Sequence, residues 1–280
     1  MRVLCVLLLA LGVVGCSATR VLYNQLDWVS VWYLNGYFSL DDAQEAQLRD
    51  AVSRNLEWHR RTQLPEYAKF CRQLIRDADG VLTEEILEAR FQRMIELWDE
   101  LMRHALPDVS AFFLALSDEQ VDEFIDNLED NNQELWDEYA GETPEKRLER
   151  REKAAFKGFK RIVGRLNPEQ KDIIRAYMGN MHDVSEYWIE SRRRWQLEFR
   201  DLVIERPQEP EFSERLAALM LDPNRDDDSS YRQRVDENRA NFFALTLALH
   251  ASLTAKQRER FNGRMQDFAR DFEVLAVQKT

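Results

Sequence analysis

Apolar positions recur along almost the whole chain at steps of three and four, the spacing of one face of an α-helix. Between 83 and 105 the set Phe91, Met94, Ile95, Trp98, Leu101, Met102 and Ala105 forms a continuous stripe of this kind. Beyond residue 16 no stretch sustains the alternation of a strand, and only seven Gly and seven Pro interrupt the pattern. The periodicity predicts helices at about 21–35, 41–62, 65–78, 83–105, 107–115, 118–140, 144–166, 168–205, 212–221, 230–252 and 255–276. The expected fold class is all-α, an antiparallel helical bundle with one long helix at about 168–205. Unbroken, that helix would span roughly 57 Å. Its seam, Ile174, Met178, Met181, Ser185, Trp188, Arg192, Trp195, Phe199 and Leu202, alternates steps of four and three as in a coiled coil, with Gly179 as a point where it could bend. Pro207 and Pro210 stop it. A second loop at 223–228 sets off a C-terminal hairpin at about 230–276, whose run Phe242 to Leu249 is apolar all round and belongs in a core.

The N-terminus departs from this pattern. After Arg2, residues Val3 to Val14 are a 12-residue apolar run, short of the roughly 20 needed to span a bilayer. With Val13-Val14-Gly15-Cys16 behind it, the run reads as a bacterial lipoprotein signal peptide over 1–15, cut before a lipidated Cys16. The remaining residues, 16–280, are expected to form a single all-helical domain, with the C-terminal hairpin packed on it and the whole tethered to a membrane through that lipid. Ser17 follows the anchor, where Asp would signal inner-membrane retention, so outer-membrane localisation facing the periplasm is expected. Net charge is −12, or −13 once Arg2 is lost, which disfavours nucleic acid and anionic lipid as partners. Cys5 leaves with the signal, so Cys71 is the one remaining thiol. Tyr67, Phe70, Leu74, Ile75 and Ala78 share its helical face, which predicts burial.

Charge suggests a specific helix pairing. Residues 118–140 hold ten Asp or Glu and no Lys or Arg, whereas 145–165 hold nine Lys or Arg and three Glu. The expectation is an antiparallel pair with opposite charges along both rims. The alternative is an acidic face that grips a basic client. A second aromatic-rich segment, 21–38, starts five residues after the anchor. Its stripe Leu22, Leu26, Val29 and Tyr33 predicts docking into the core, against the alternative that Trp28, Trp32 and their neighbours sit in the membrane interface. Asn24, Gln25 and Asp27 lie on the polar side of this helix as a candidate polar pocket.

A five-residue word, Leu-[Asp/Ser/Asn/Thr]-x-x-Gln, occurs four times: at Leu40-Asp41 with Gln44, Leu116-Ser117 with Gln120, Leu166-Asn167 with Gln170, and Leu253-Thr254 with Gln257. A partial copy, Leu82-Thr83, lacks the glutamine. The word is a capping box: the short polar side chain binds a free N–H of the first turn, and Gln reaches back to the cap's own N–H. Intervals of 76, 50 and 87 residues are too irregular for a solenoid. The word also resembles the Leu-Thr-x-x-Gln motif of the Spy/CpxP periplasmic chaperones, which implies binding of unfolded clients. The segments Cys16-Ser-Ala-Thr-Arg-Val-Leu-Tyr23-Asn24-Gln25-Leu26-Asp27-Trp28, Trp32-Tyr33-Leu34, Leu56-Glu57-Trp58-His59-Arg60-Arg61 and Leu64-Pro65-Glu66-Tyr67 resemble the DUF6279 family of proteobacterial lipoproteins. That resemblance implies a Gram-negative envelope and an all-helical body, and it brings no assigned activity.

No catalytic constellation is visible. His59, His104, His182 and His250 are isolated, and there is no zinc spacing, Walker loop, dinucleotide fingerprint or nucleophile elbow. His250, in the apolar helix, reads as a satisfied core histidine, and Arg192-Arg193-Arg194 as a solvated face. The chain is expected to be no enzyme and to need no cofactor or metal. The functional expectation is a periplasmic binding protein of chaperone or envelope-stress adaptor type, with a protein partner or unfolded client. The alternatives are an envelope scaffold and, more remotely, a cell-wall or lipid hydrolase.

Overall fold

The computed structural model describes residues 20, 21, 23–223 and 228–278, among which all regular structure is helical. The predicted signal peptide, Cys16, Ser17, Leu22 and most of the loop at 223–228 lie outside the described residues. The helices are α1 (Leu26–Phe38), α2 (Asp42–Asp79), α3 (Glu84–Leu114), α4 (Asp118–Leu135), α5 (Pro144–Val163), α6 (Pro168–Gly179), α7 (Ser185–Glu205), α8 (Glu211–Leu221), α9 (Ser229–Ser252) and α10 (Ala255–Val277). A π-helical turn, Trp136–Ala140, extends α4. The all-α expectation is thus met.

The two longest helices are α2 and α3, each continuous through a proline where the sequence predicts a new start. A proline removes one N–H and crowds the preceding turn, which kinks a helix unless packing holds both halves. Around Pro65, buried Leu64 and Ala68 anchor both sides, while Gln63 and Glu66 bind Glu100 and Arg93 across to α3. Asp108, one residue beyond Pro107, is held by Arg54 and Asn55 at 2.6 Å each. The two helices run antiparallel, and α10 lies antiparallel along another face of α2. There Ala68 and Cys71 pack on Met265, Phe268 and Ala269, and Arg72 pairs with Glu273 at 2.6 Å.

The long helix expected over 168–205 is two helices, α6 and α7, separated at 180–184. The break has polar causes on a neighbouring element. Asn238 of α9 accepts the His182 N–H at 2.8 Å and donates to the His182 carbonyl at 3.0 Å. Asn241 donates to the Tyr177 carbonyl, and Asp183 accepts the Ser185 N–H that opens α7. The His182 N–H and carbonyl, the Tyr177 carbonyl and the Ser185 N–H are thus given partners at the break.

The acidic and basic helices do not pair along their lengths. α4 packs on α7 and α1, and α5 packs on α6 and α10. The apolar stripes explain this. Val121 and Phe124 enter a core with Phe38, Leu116, Phe199, Leu202 and Phe212, with Phe38 stacked on Phe124 at 4.5 Å. Leu148, Phe159 and Ile162 enter a second core with Ile174, Met178, Leu245 and Leu249. Burying an aliphatic or aromatic side chain contributes about 1.5–3 kcal/mol, and an exposed ion pair about 0–1 kcal/mol. The apolar partners therefore decide the pairing. Only at the bend do the charges meet: Arg147 donates to the Ala140 and Glu142 carbonyls, and Arg150 to the Tyr139 carbonyl and the Glu142 carboxylate. The two C-terminal helices also take different hosts, α9 resting on α6 and α3 while α10 follows α2.

Asn238→Ala orphans both His182 backbone groups, and we expect a loss of about 1–2 kcal/mol in urea unfolding. Asn238→Asp, which keeps the acceptor, should fall between. An unchanged midpoint in both variants would show that the break is fixed by other contacts.

Candidate functional site

All four full words form capping boxes. Asp41 accepts the Gln44 N–H at 2.8 Å, and Gln44 Oε1 accepts the Asp41 N–H at 3.1 Å. Ser117 and Gln120, Asn167 and Gln170, and Thr254 and Gln257 repeat the exchange. The boxes then join in pairs. Gln44 Nε2 donates to the Ala115 carbonyl and to Gln120 Oε1, at 3.1 and 2.9 Å. In return Gln120 Nε2 lies 3.2 Å from the Ser39 carbonyl and 2.7 Å from Gln44 Oε1. Gln170 donates likewise to the Ser252 carbonyl and Gln257 Oε1, and Gln257 to the Arg165 carbonyl and Gln170 Oε1, all at 2.9–3.1 Å. In every case the carbonyl lies two residues ahead of the partner's cap.

Each amide thus uses both N–H donors and both lone pairs of its oxygen, its full capacity. Gln170 and Gln257 are 0% and 7% exposed, so this saturation matters energetically. The leucine of each word enters the nearest core, Leu40 and Leu116 the first, Leu166 and Leu253 the second. Two helix N-termini, each carrying partial positive charge, meet at each clasp. The glutamine oxygens and first-turn acids Asp42, Glu45, Asp118, Glu119 and Glu169 offset that repulsion. Gly164, at φ +89°, turns the chain into the second clasp, and a Cβ there would lie 2.9 Å from Arg260 Cδ. The partial word at Thr83 caps α3 through the Ile86 N–H.

The candidate polar pocket of Asn24, Gln25 and Asp27 does not form: Gln25 and Asp27 are exposed at the start of α1. Asn24 instead joins a polar cluster built on α2. Its Oδ1 accepts from Arg60 Nη2 at 3.0 Å, and its Nδ2 donates to Gln278. The Arg60 guanidinium lies 4.8 Å from the Tyr23 ring centre, and Tyr23 Oη is 2.8 Å from His59 Nδ1. The His59 ring also meets Tyr67 edge-on, and Tyr67 meets Phe272 of α10. Arg60 is buried, with Nε and Nη1 unpartnered. Burial, reinforced by Arg60, lowers the His59 pKa to about 4. Burial raises Tyr67 to about 12 and carries Tyr23 well above its ordinary value, with Arg60 opposing the latter. At neutral pH the imidazole and both phenols are therefore held in their neutral forms. The cluster acts as a clamp, tying the N-terminal segment and the C-terminal helix to α2. Arg20 adds a 3.2 Å ion pair to buried Asp271, whose pKa burial raises.

A family profile described as "Family of unknown function (DUF6279)" matches residues 36–232, well over half of the chain. The chain belongs to this family. No curated protein and no solved structure matches it. The DUF6279 match includes three of the four words, those at 40–44, 116–120 and 166–170, and starts at residue 36.

The other candidates in this DUF6279 chain have structural roles. His250 Nε2 lies 2.9 Å from the Ala78 carbonyl and 2.8 Å from Arg258 Nη1, closing the C-terminus of α2. Arg192 binds Asn131 and Asn132, and Arg193 pairs with Glu129. Cys71 is buried as expected, its thiol pushed up to about 12 by burial. Among the described residues no three His, Cys, Asp or Glu converge as a metal site requires, and no helix is long and apolar enough to cross a membrane. The sequence reading missed the clasp partnership. Its one signal was the invariable Gln at N3, where Glu caps equally well but lacks the donors to reach a second box.

His59 makes stability depend on pH. Its folded pKa lies below the unfolded value of about 6.5, so the unfolded chain binds the extra proton first. Its contribution is complete above about pH 6.5 and lost as pH falls toward 4. We expect His59→Phe to flatten the stability–pH curve between pH 7.5 and 4.5 by about 2–3 kcal/mol in urea titrations. Parallel curves for variant and parent would contradict the burial of a neutral imidazole.

Proposed function

We propose that this DUF6279 protein is a lipid-anchored, non-catalytic adaptor of the Gram-negative envelope that holds a basic segment of one protein partner at the membrane. The observation that carries the reading is the outer face of α4. Asp122, Asp126, Asp130 and Glu134 follow one another at i, i+4, all exposed and none ion-paired among the described residues. Like charges at that spacing each cost a helix about 0.2–0.5 kcal/mol. With α5 packed elsewhere, and Arg192 and Arg193 of α7 engaged with Glu129, Asn131 and Asn132, no described basic side chain pairs with these four carboxylates, and a cationic partner would offset that cost. Membrane tethering is supported by the lipobox at Cys16, and outer-membrane placement by Ser17. The chaperone-like word lends no direct support to client binding, because every polar atom of its four glutamines is engaged within the clasps. A second reading, capture of unfolded clients, draws on exposed Leu197 and Ile204 within an acidic rim of Glu198, Asp201 and Glu205 on α7.

A photo-crosslinking residue at Asp126 of the full chain in intact cells tests the proposal. The expected result is one discrete protein adduct, lost when Asp122, Asp130 and Glu134 are changed to Lys. A broad ladder of adducts that grows under heat stress would favour client capture, and absence of any adduct would overturn the adaptor reading.

A further inference from the structure

The first helix carries a face that the rest of the fold leaves uncovered. α1 docks on α2 and α4 by burying Val31 and Phe38, with Leu34 and Tyr37 packed against the first core. The stripe expected from the sequence is displaced: Tyr33 points outward. Beside it Trp28 and Trp32 stack one turn apart, ring centres 6.2 Å and planes 13° apart. These three side chains are 57%, 65% and 56% exposed. The Tyr33 hydroxyl lies 3.2 Å from that of Tyr37. Val21, also exposed, precedes them. Large aromatics gain substantially from burial, so two adjacent tryptophans left in water on one face need an occupant.

We infer that this aromatic face seats the protein in the interfacial layer of the bilayer that holds the Cys16 lipid; the inference rests on the lipid-anchored reading above. Three observations select a bilayer over another protein or a second copy. The residue types are those of the membrane interface, where an apolar ring body meets hydrated headgroups and the indole N–H or phenol O–H stays solvated. Position comes next: Arg20 is four Cα steps from Cys16, with three residues between them, a reach of at most about 14 Å, so the face begins close to the lipid whatever path the chain takes. The third is linkage. Contact by three aromatics is weak alone, but a lipid already inserted makes it intramolecular and raises its effective concentration. Because the chain is acidic, the seat is expected on zwitterionic headgroups and should weaken as anionic lipid is added.

The experiment uses the mature lipidated protein, purified from envelopes and reconstituted into phosphatidylcholine vesicles. Tryptophan emission is quenched with lipids brominated near the headgroup or deep in the acyl chain. The expected result is a blue-shifted, shallowly quenched component that disappears in Trp28→Ser/Trp32→Ser, while the remaining five tryptophans are unaffected. Both side chains are exposed, so this variant should keep the parent's unfolding midpoint. Protein that floats with vesicles but shows no quenching difference between parent and variant would overturn the inference and leave the anchor reading standing. A Trp28/Trp32 emission shift that depends on protein concentration and not on lipid would assign the face to a second copy and also overturn it. Mass analysis of the purified protein reports separately on Cys16. An unmodified Cys16 would remove the anchor reading, and the inference with it.

Discussion

A glutamine amide has two donors and two acceptor sites, and in this chain four such amides are saturated in two reciprocal clasps. Each ties the start of one helix to the start of another far away in sequence: α2 to α4, and α6 to α10. The consequence is architectural. An N-terminus cannot slide along its axis when its cap, its N3 side chain and its neighbour's backbone carbonyl are bonded as one unit. The leucine before each cap enters the adjacent core, so polar and apolar registers are set together. With α4 fixed at its origin, its apolar stripe meets α7 and α1. With α6 and α10 fixed, α5 finds its host between them. The extended pair of α2 and α10 then connects the two clasped regions.

This arrangement explains which parts of the fold could be read from the sequence. Helix existence and the four caps were legible because both are local: a 3.6-residue period and a four-residue motif suffice. The boundaries at Pro65 and Pro107 were misread because continuity there is imposed by Leu64, Ala68 and Asp108 contacting other helices. The break at 180–184 was under-read for the converse reason, since Asn238 supplies from a distance the hydrogen bonds that make a break tolerable. Charge suggested a pairing of α4 with α5 that apolar burial overruled. Of the candidate pocket, only Asn24 found a partner. Arg60, which holds it, was visible in sequence only as part of a family resemblance.

What the fold leaves over bears on function. Once the clasps, the clamp around His59 and the capped end of α2 at His250 are accounted for, two of the surfaces left over among the described residues stand out: the acidic line on α4 and the aromatic face on α1. One is suited to a cationic protein segment and the other to a lipid surface. Both lie on helices that pack directly together, α1 against α4. The proposed lipid-tethered adaptor would turn one of these neighbouring faces to the membrane and the other to its partner.

The central claim, that paired glutamines act as units, is tested most directly by a double-mutant cycle on Gln170→Met and Gln257→Met in urea unfolding. Each single change orphans a cap N–H, a distant carbonyl and the partner amide, at about 1–3 kcal/mol per buried group. The double change removes the stranded amide as well. The account predicts that the pair loses at least about 1 kcal/mol less than the sum of the singles. Gln44→Met with Gln257→Met, drawn from different clasps, should be additive. Additivity within about 0.5 kcal/mol for Gln170 with Gln257 would contradict the claim and reduce the words to independent helix caps.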